Sequence, residues 1–168
     1  VSGNFPLLAE VGVHIKYNKN IILKPNFKKL KLHASLDYNV SILKLFPGIS
    51  ESVVNSTLKI PGLKALILET FGSGNAPTDP WFINVLKEAI QNGLIILNVT
   101  QCKSGSVELG LYETSLELQR IGVIGGYDIT TESALAKLMY LIGENYPHEK
   151  IKLLLQQSIR GEMTIEKK

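Results

Sequence analysis

The run Leu94-Ile95-Ile96-Leu97-Asn98-Val99 is almost continuously apolar, bounded by Gly93 on one side and Thr100 to Lys103 on the other. A strand of this texture needs cover on both faces, which places it inside a parallel sheet. Upstream, Lys64 to Thr70 has the same character. Between the two lie a loop, Gly72 to Asn75, and a helix signature in which Thr78-Asp79-Pro80 supplies an N-cap and a proline at the first helical position. Trp81, Val85, Leu86, Ala89 and Ile90 continue that helix to a stop at Gly93. Strand, loop, helix and strand in this order make a βαβ unit.

The pattern extends in both directions. Val40 to Phe46 is a further apolar run, ended by Pro47-Gly48, and Ser50 to Leu58 reads as a short helix capped by Ser50. Leu109, Tyr112, Leu116 and Ile121, with Gly122 as stop, predict a third helix, and Thr130 caps a fourth whose Ala134, Leu135, Leu138, Leu141 and Ile142 share one face. A fifth is predicted from Pro147 through Ile151, Leu154, Leu155 and Ile159 to Gly161. The expected fold is α/β, a three-layer αβα sandwich around a small parallel sheet, Rossmann-like in layering. Ahead of it, Val11, Val13, Ile15 and Tyr17 alternate with Gly12, His14 and Lys16, the period of a half-buried strand. Asn18 to Asn20 then turn the chain toward Ile21-Ile22-Leu23, so a β-hairpin is expected. Residues 1–39 are read as hairpin and connecting segment, and 40–168 as one compact α/β domain.

Composition removes several function classes. A single cysteine, Cys102, excludes an internal disulfide and a Cys/His zinc finger, and leans toward a reducing compartment. With 18 basic against 15 acidic residues, the formal charge of +3 makes no case for nucleic-acid binding. No apolar stretch is long enough to span a bilayer, and no signal peptide follows Val1, so a soluble chain is expected. The missing Met hints at a fragment. Lys16, Lys19, Lys24, Lys28, Lys29 and Lys31 crowd the first fifth of the chain with no acid among them. Tyr17 and Phe27 are too few to form a base-stacking platform, and a solvated hairpin face is the preferred reading.

Candidate chemistry gathers where the central strands end. Gly72-Ser73-Gly74-Asn75 follows one strand and precedes a helix, the position at which open α/β sheets bind ligands. It is neither GxGxxG nor a Walker A loop. Two readings stand: a plain βα turn, or a ligand loop in which glycines allow close backbone approach and the Asn75 amide offers both a donor and an acceptor. Cys102 follows the next strand, but a nucleophile needs a base, and His14, His33 and His148 lie in no catalytic or metal-ligand spacing. A small buried thiol is the preferred reading. Asp128 to Glu132 reads as helix capping. Tyr112 lies on an apolar helical stripe, with its hydroxyl the one polar feature there.

Longer stretches carry more information than any single residue. Leu66 to Pro77, Asn98 to Cys102, Tyr112 to Thr114, Gly122 to Leu138 and Ile159 to Thr164 resemble, in order and spacing, the C-terminal half of type I (cytoplasmic) L-asparaginases. Pro6 to Tyr17 is similar to the segment leading into that half. The resemblance implies an amidohydrolase converting L-asparagine to L-aspartate and ammonia through a threonine nucleophile, without cofactor or metal, in the cytoplasm. The family's Gly-Gly-Thr and Thr-Asp motifs and partner lysine have no counterpart here, so this segment alone is expected to be inactive. It further implies a homo-dimer or homo-tetramer in which Asn75, Gly74 and Tyr112 contact substrate across the subunit interface. Cys102 matches an effector site of some bacterial members, whereas Glu69 stands where those members have an arginine. An acid there repels an effector carboxylate, so allosteric activation is not expected. Two alternatives stay open: an archaeal-type amidotransferase subunit releasing ammonia for glutaminyl-tRNA formation, and a non-catalytic amino-acid-binding or interaction domain.

Overall fold

A computed structural model describes residues 6–24, 27, 29–110 and 113–165. Its centre is a parallel sheet of β3 (Val40–Lys44), β4 (Ala65–Thr70), β5 (Ile95–Thr100) and β6 (Ile124–Gly125), hydrogen-bonded in that order. Between successive strands run α1 (Glu51–Leu58), α2 (Pro80–Gln91) and α3 (Glu113–Arg120); α4 (Thr131–Gly143) and α5 (His148–Leu155) follow β6.

Two separate apolar clusters show why β4 and β5 had to be continuous runs. Ala65 and Ile67 of β4, with Ile95, Leu97 and Val99 of β5, pack against Leu138 and Leu141 of α4 and Ile151 and Leu155 of α5. The alternate residues Leu66, Leu68 and Ile96 pack against Val54 of α1, Phe82 and Leu86 of α2 and Leu118 of α3. Successive side chains of a strand point to opposite faces, so each central strand feeds both layers. The three-layer α/β expectation holds. Ser50 and Thr130 cap α1 and α4 by accepting from the N–H groups of Val53 and Ser133.

Some boundaries differ from the sequence reading. β6 has only two residues, too short for a periodicity, and was not anticipated. α3 begins at Glu113, leaving Leu109 in the preceding loop, where it still packs on the core. α5 ends at Leu155 and does not reach Gly161. The chain there turns around a carboxylate instead: Glu162 accepts from the N–H groups of Ile159 and Arg160, and Ser158 Oγ accepts from that of Gly161. These side chains satisfy backbone donors that a helix would otherwise have used.

A hairpin is present, but it is built from other strands. β1 (Ala9–Val11) pairs antiparallel with β2 (Ile15–Tyr17) around a turn at Gly12 to His14, and Ile21 to Leu23 take no part. Its apolar residues are not half-buried. Val11 is 82% and Val13 97% exposed, because nothing else in the described chain packs on the hairpin. The connecting segment is better anchored: Asp37 N–H donates to Met139 O on α4. Ser35 passes so close to Gly143 that a Cβ there would collide with the Ser35 backbone.

The C-terminal turn is locked to α4 by an ion pair the sequence reading did not single out. Lys137 Nζ lies 2.7 Å from Glu162 Oε1 and also donates to Gln157 O, and the ammonium is almost wholly buried. Burial pushes Lys137 below the usual lysine range, with Glu162 opposing. For Glu162, burial pushes the carboxyl up, but Lys137 and the N–H groups of Ile159 and Arg160 outweigh it and hold it at about 2, against an ordinary 4.5. A carboxylate depressed on folding stabilises above its ordinary pKa and loses that contribution as pH falls through the folded value. The difference in Tm between wild type and Glu162→Gln is therefore expected to narrow between pH 4.5 and about 2. A difference constant across that window contradicts the assignment.

Candidate functional site

Parallel strands collect the segments after β4 and β5 at one edge of the sheet, the carboxyl edge. There Phe71 to Asn75 forms a small closed loop. Phe71 N–H donates to Asn75 O at 2.9 Å, and Phe71 O accepts from the N–H groups of both Asn75 (2.8 Å) and Gly74 (3.1 Å). The three carbonyls between them are held as well. Gly72 O accepts from Thr100 Oγ1 (2.5 Å), Ser73 O from Glu108 N–H (3.0 Å) and Gly74 O from Asn98 Nδ2 (3.4 Å). A loop whose carbonyls are all tied to neighbouring segments is conformationally fixed before any ligand arrives.

Gly72 and Gly74 both have positive φ, +51° and +110°, which side chains rarely adopt. At Gly74 a Cβ would also stand 3.0 Å from Val107 Cγ1 and 3.4 Å from Asn98 Nδ2. Gly74 is buried and Asn75 half-buried. The glycines thus let the loop lie flat against β5 and the 106–110 segment. Asn75 is carried at the edge with its main chain fully engaged.

Two polar residues beneath the loop were not picked out as site residues from the sequence. Thr70 and Asn98 are both completely buried, on the same face of the sheet as Leu68 and Ile96. Thr70 Oγ1 donates to Asn98 Oδ1 at 2.6 Å. The available signal was the one amide interrupting an otherwise apolar strand, since burying an amide without partners costs about 2–7 kcal/mol.

The other candidates sit nearby with different surroundings. Cys102 is exposed rather than buried, because it follows the end of β5 in a turn whose N–H donates to Thr100 Oγ1. Glu69, at the end of β4, is mostly covered. Its Oε1 accepts from Thr131 Oγ1 at 2.6 Å at the start of α4, and Lys44 Nζ lies 3.7 Å from Oε2. Gln101 Nε2 donates to Leu45 O and Glu69 O, joining this corner to β3. Tyr112 lies outside the described residues; the 106–110 segment that leads toward it runs against the Asn75 loop.

Of the histidines, His33 lies 2.8 Å from Glu144 and His148 bonds Gly93 O, both remote from this edge. Among the described residues no three His, Cys, Asp or Glu side chains are grouped to hold a metal ion. Neither of two cavities is lined by Asn75. One, of about 610 Å³, opens at the amino edge by Leu63, Leu94 and Ile151; the other, of about 980 Å³, lies beyond β6 by Val107, Ile124 and Tyr127. The loop is an exposed ledge, the shape of a part that completes a site formed elsewhere.

Residues 39–155 match the glutaminase/asparaginase C-terminal domain, and the chain belongs to that family. Its relatives are enzymes of two names. L-asparaginase 1 of Escherichia coli (strain K12) is 39% identical over 163 residues, 97% of this chain and 48% of that protein. The 60 kDa lysophospholipase of Homo sapiens is 41% identical over 165 residues, 97% of this chain and 28% of that protein. Among solved structures, L-asparaginase I from Vibrio cholerae superposes with a TM-score of 0.89 at 39% identity, covering 98% of this chain and 49% of that one. The chain thus spans about half the length of the asparaginases it matches.

The glycine geometry gives a direct expectation. Gly74→Ala is expected to destabilise the protein by about 1–3 kcal/mol, the cost typical of a strained backbone position, with the clash against Val107 adding to it. Denaturant unfolding measures this. An unchanged midpoint would show that the loop is free to move away from β5.

Proposed function

We propose that this chain forms the C-terminal half of an L-asparaginase, hydrolysing L-asparagine to L-aspartate and ammonia with a threonine nucleophile supplied by a catalytic N-terminal domain. The observation that carries the reading is the tethered ledge at the carboxyl edge, which presents Asn75 on a chain of the glutaminase/asparaginase family. On this reading Asn75 reaches the site of a neighbouring subunit, with Gly74 fixing its backbone and Tyr112 approaching the same site. Its amide can accept from the substrate's ammonium and donate to its carboxylate. The assembly is a homo-dimer or homo-tetramer in the cytoplasm.

The exposed apolar arm supports assembly. Leu7, Leu8, Val11, Val13, Ile15, Phe27 and Leu30 are all largely exposed. An apolar set of that extent marks a surface built to meet more protein. Lys16, Lys19, Lys29 and Lys31 lie on the same arm. We read them as its solvated edge, leaving no role for nucleic acid.

The 168-residue chain alone is expected to release no ammonia from asparagine, and the complete enzyme to do so. In the complete enzyme Asn75→Ala should keep the fold and lower kcat/KM by about 1–3 kcal/mol of transition-state binding, the range for a lost hydrogen bond to a charged group. Ammonia release by the chain alone overturns the division of labour; unchanged kcat/KM in Asn75→Ala removes its role. A parallel assay with a lysophospholipid separates this reading from the activity in the human relative's name.

The corner of Cys102 and Glu69 is read as lacking effector function. Thr131 and Lys44 already satisfy the Glu69 carboxylate, and a second carboxylate brought against it would be repelled. A ligand that does not distinguish two states cannot shift them. The rate is therefore expected to rise hyperbolically with asparagine concentration; a Hill coefficient clearly above one contradicts this.

A further inference from the structure

The Asn75 ledge lies directly over a polar pair with no packing reason to be polar. Thr70 and Asn98 are surrounded by Leu68, Ile96 and Leu118 in the helix-covered layer of the sheet, where threonine and asparagine are poorer core residues than valine and leucine. Their hydrogen bonds run one way. Gly74 O can only accept, so the side of the Asn98 amide that faces it must be Nδ2. That leaves Oδ1 turned toward Thr70, whose hydroxyl proton it takes at 2.6 Å. With the hydroxyl removed, nothing holds the amide in this orientation. A flipped amide would set an oxygen against the Gly74 carbonyl and push the loop outward.

Resting on the function proposed above, we infer that Thr70 and Asn98 are positioning residues for the Asn75 ledge: the hydroxyl sets the amide, and the amide sets the Gly74 carbonyl from which Asn75 projects. The relay is short. Thr70 ends β4, Asn98 lies in β5, and Gly74 precedes Asn75, so one buried contact fixes the ledge to both central strands. The third tie, Thr100 Oγ1 to Gly72 O, holds the other end of the loop and is independent of the pair.

The test uses the complete enzyme with Thr70→Val, Thr70→Ser, Asn98→Leu and Asn75→Ala, singly and with Asn75→Ala added to each of the others. Val and Leu keep the volumes they replace, so folding is preserved while the hydroxyl or amide is lost. Thr70→Val and Asn98→Leu are expected to lower kcat/KM for asparagine by about tenfold, and Thr70→Ser, which retains the donor, by about twofold or less. In the Asn75→Ala background neither should cost anything further, because residues acting through one group are non-additive. A structural role alone would give additive losses, which overturns the inference, as would wild-type kinetics in both variants where Asn75→Ala is impaired. Amide hydrogen exchange at Gly74 and Asn75 separates this inference from the function it rests on. Faster exchange in Thr70→Val and Asn98→Leu but not in Thr70→Ser supports the relay even where Asn75→Ala is kinetically silent, a result that would sink only the substrate role of Asn75. Unchanged exchange in Thr70→Val overturns the relay whatever the kinetics. If Asn98→Leu fails to fold, the Thr70 pair carries both measurements.

Discussion

Burial of β4 and β5 on both faces is the constraint from which the architecture follows. Ile67 and Leu97 face α4 and α5, while Leu66, Leu68 and Ile96 face the layer of α1, α2 and α3. Neither set can be left to water without exposing a row of large side chains, each worth about 1.5–3 kcal/mol when buried. Two helical layers are therefore obligatory, and parallel pairing between β4 and β5 places both following loops at one edge. Chemistry at that edge is a by-product of packing in the middle.

At the edge, the logic of the strands passes from apolar to polar one residue at a time. Leu66, Leu68 and Thr70 share a face of β4, and Ile96 and Asn98 share it on β5. The last member of each set is the one that bonds its neighbour or the loop above. Burying these groups is tolerable because each has a partner, and the partners are what keep the ledge in place. The same rule operates at the far end of the chain, where Lys137 is buried only in company with Glu162 and two backbone carbonyls.

Much of this was legible in the residues. The runs at 64–70 and 94–99, the caps at Ser50 and Thr130 and the proline at position 80 gave the central βαβ unit and the layering, because burial on two faces and capping leave marks in local sequence. Where the outcome depended on partners distant in sequence, local marks misled. Val11 to Tyr17 alternate as a half-buried strand should, yet stand exposed, since their cover is not among the described residues. Leu154 and Ile159 keep a helical period past the point where Glu162 turns the chain. The ledge was visible as two glycines and an asparagine, but not the donors from 98, 100 and 108 that fix it, because those contacts join segments more than 20 residues apart.

The central claim is that this half of the molecule supplies a rigid ledge to an active site it does not itself contain. A crystal structure of the complete enzyme with L-aspartate bound tests it most directly. The account predicts Asn75 of one subunit within hydrogen-bond distance of the aspartate's ammonium or carboxylate in the neighbouring subunit's site, with the 71–75 loop in the conformation described here. Aspartate bound with Asn75 out of reach, or a loop that refolds to reach it, would contradict the account.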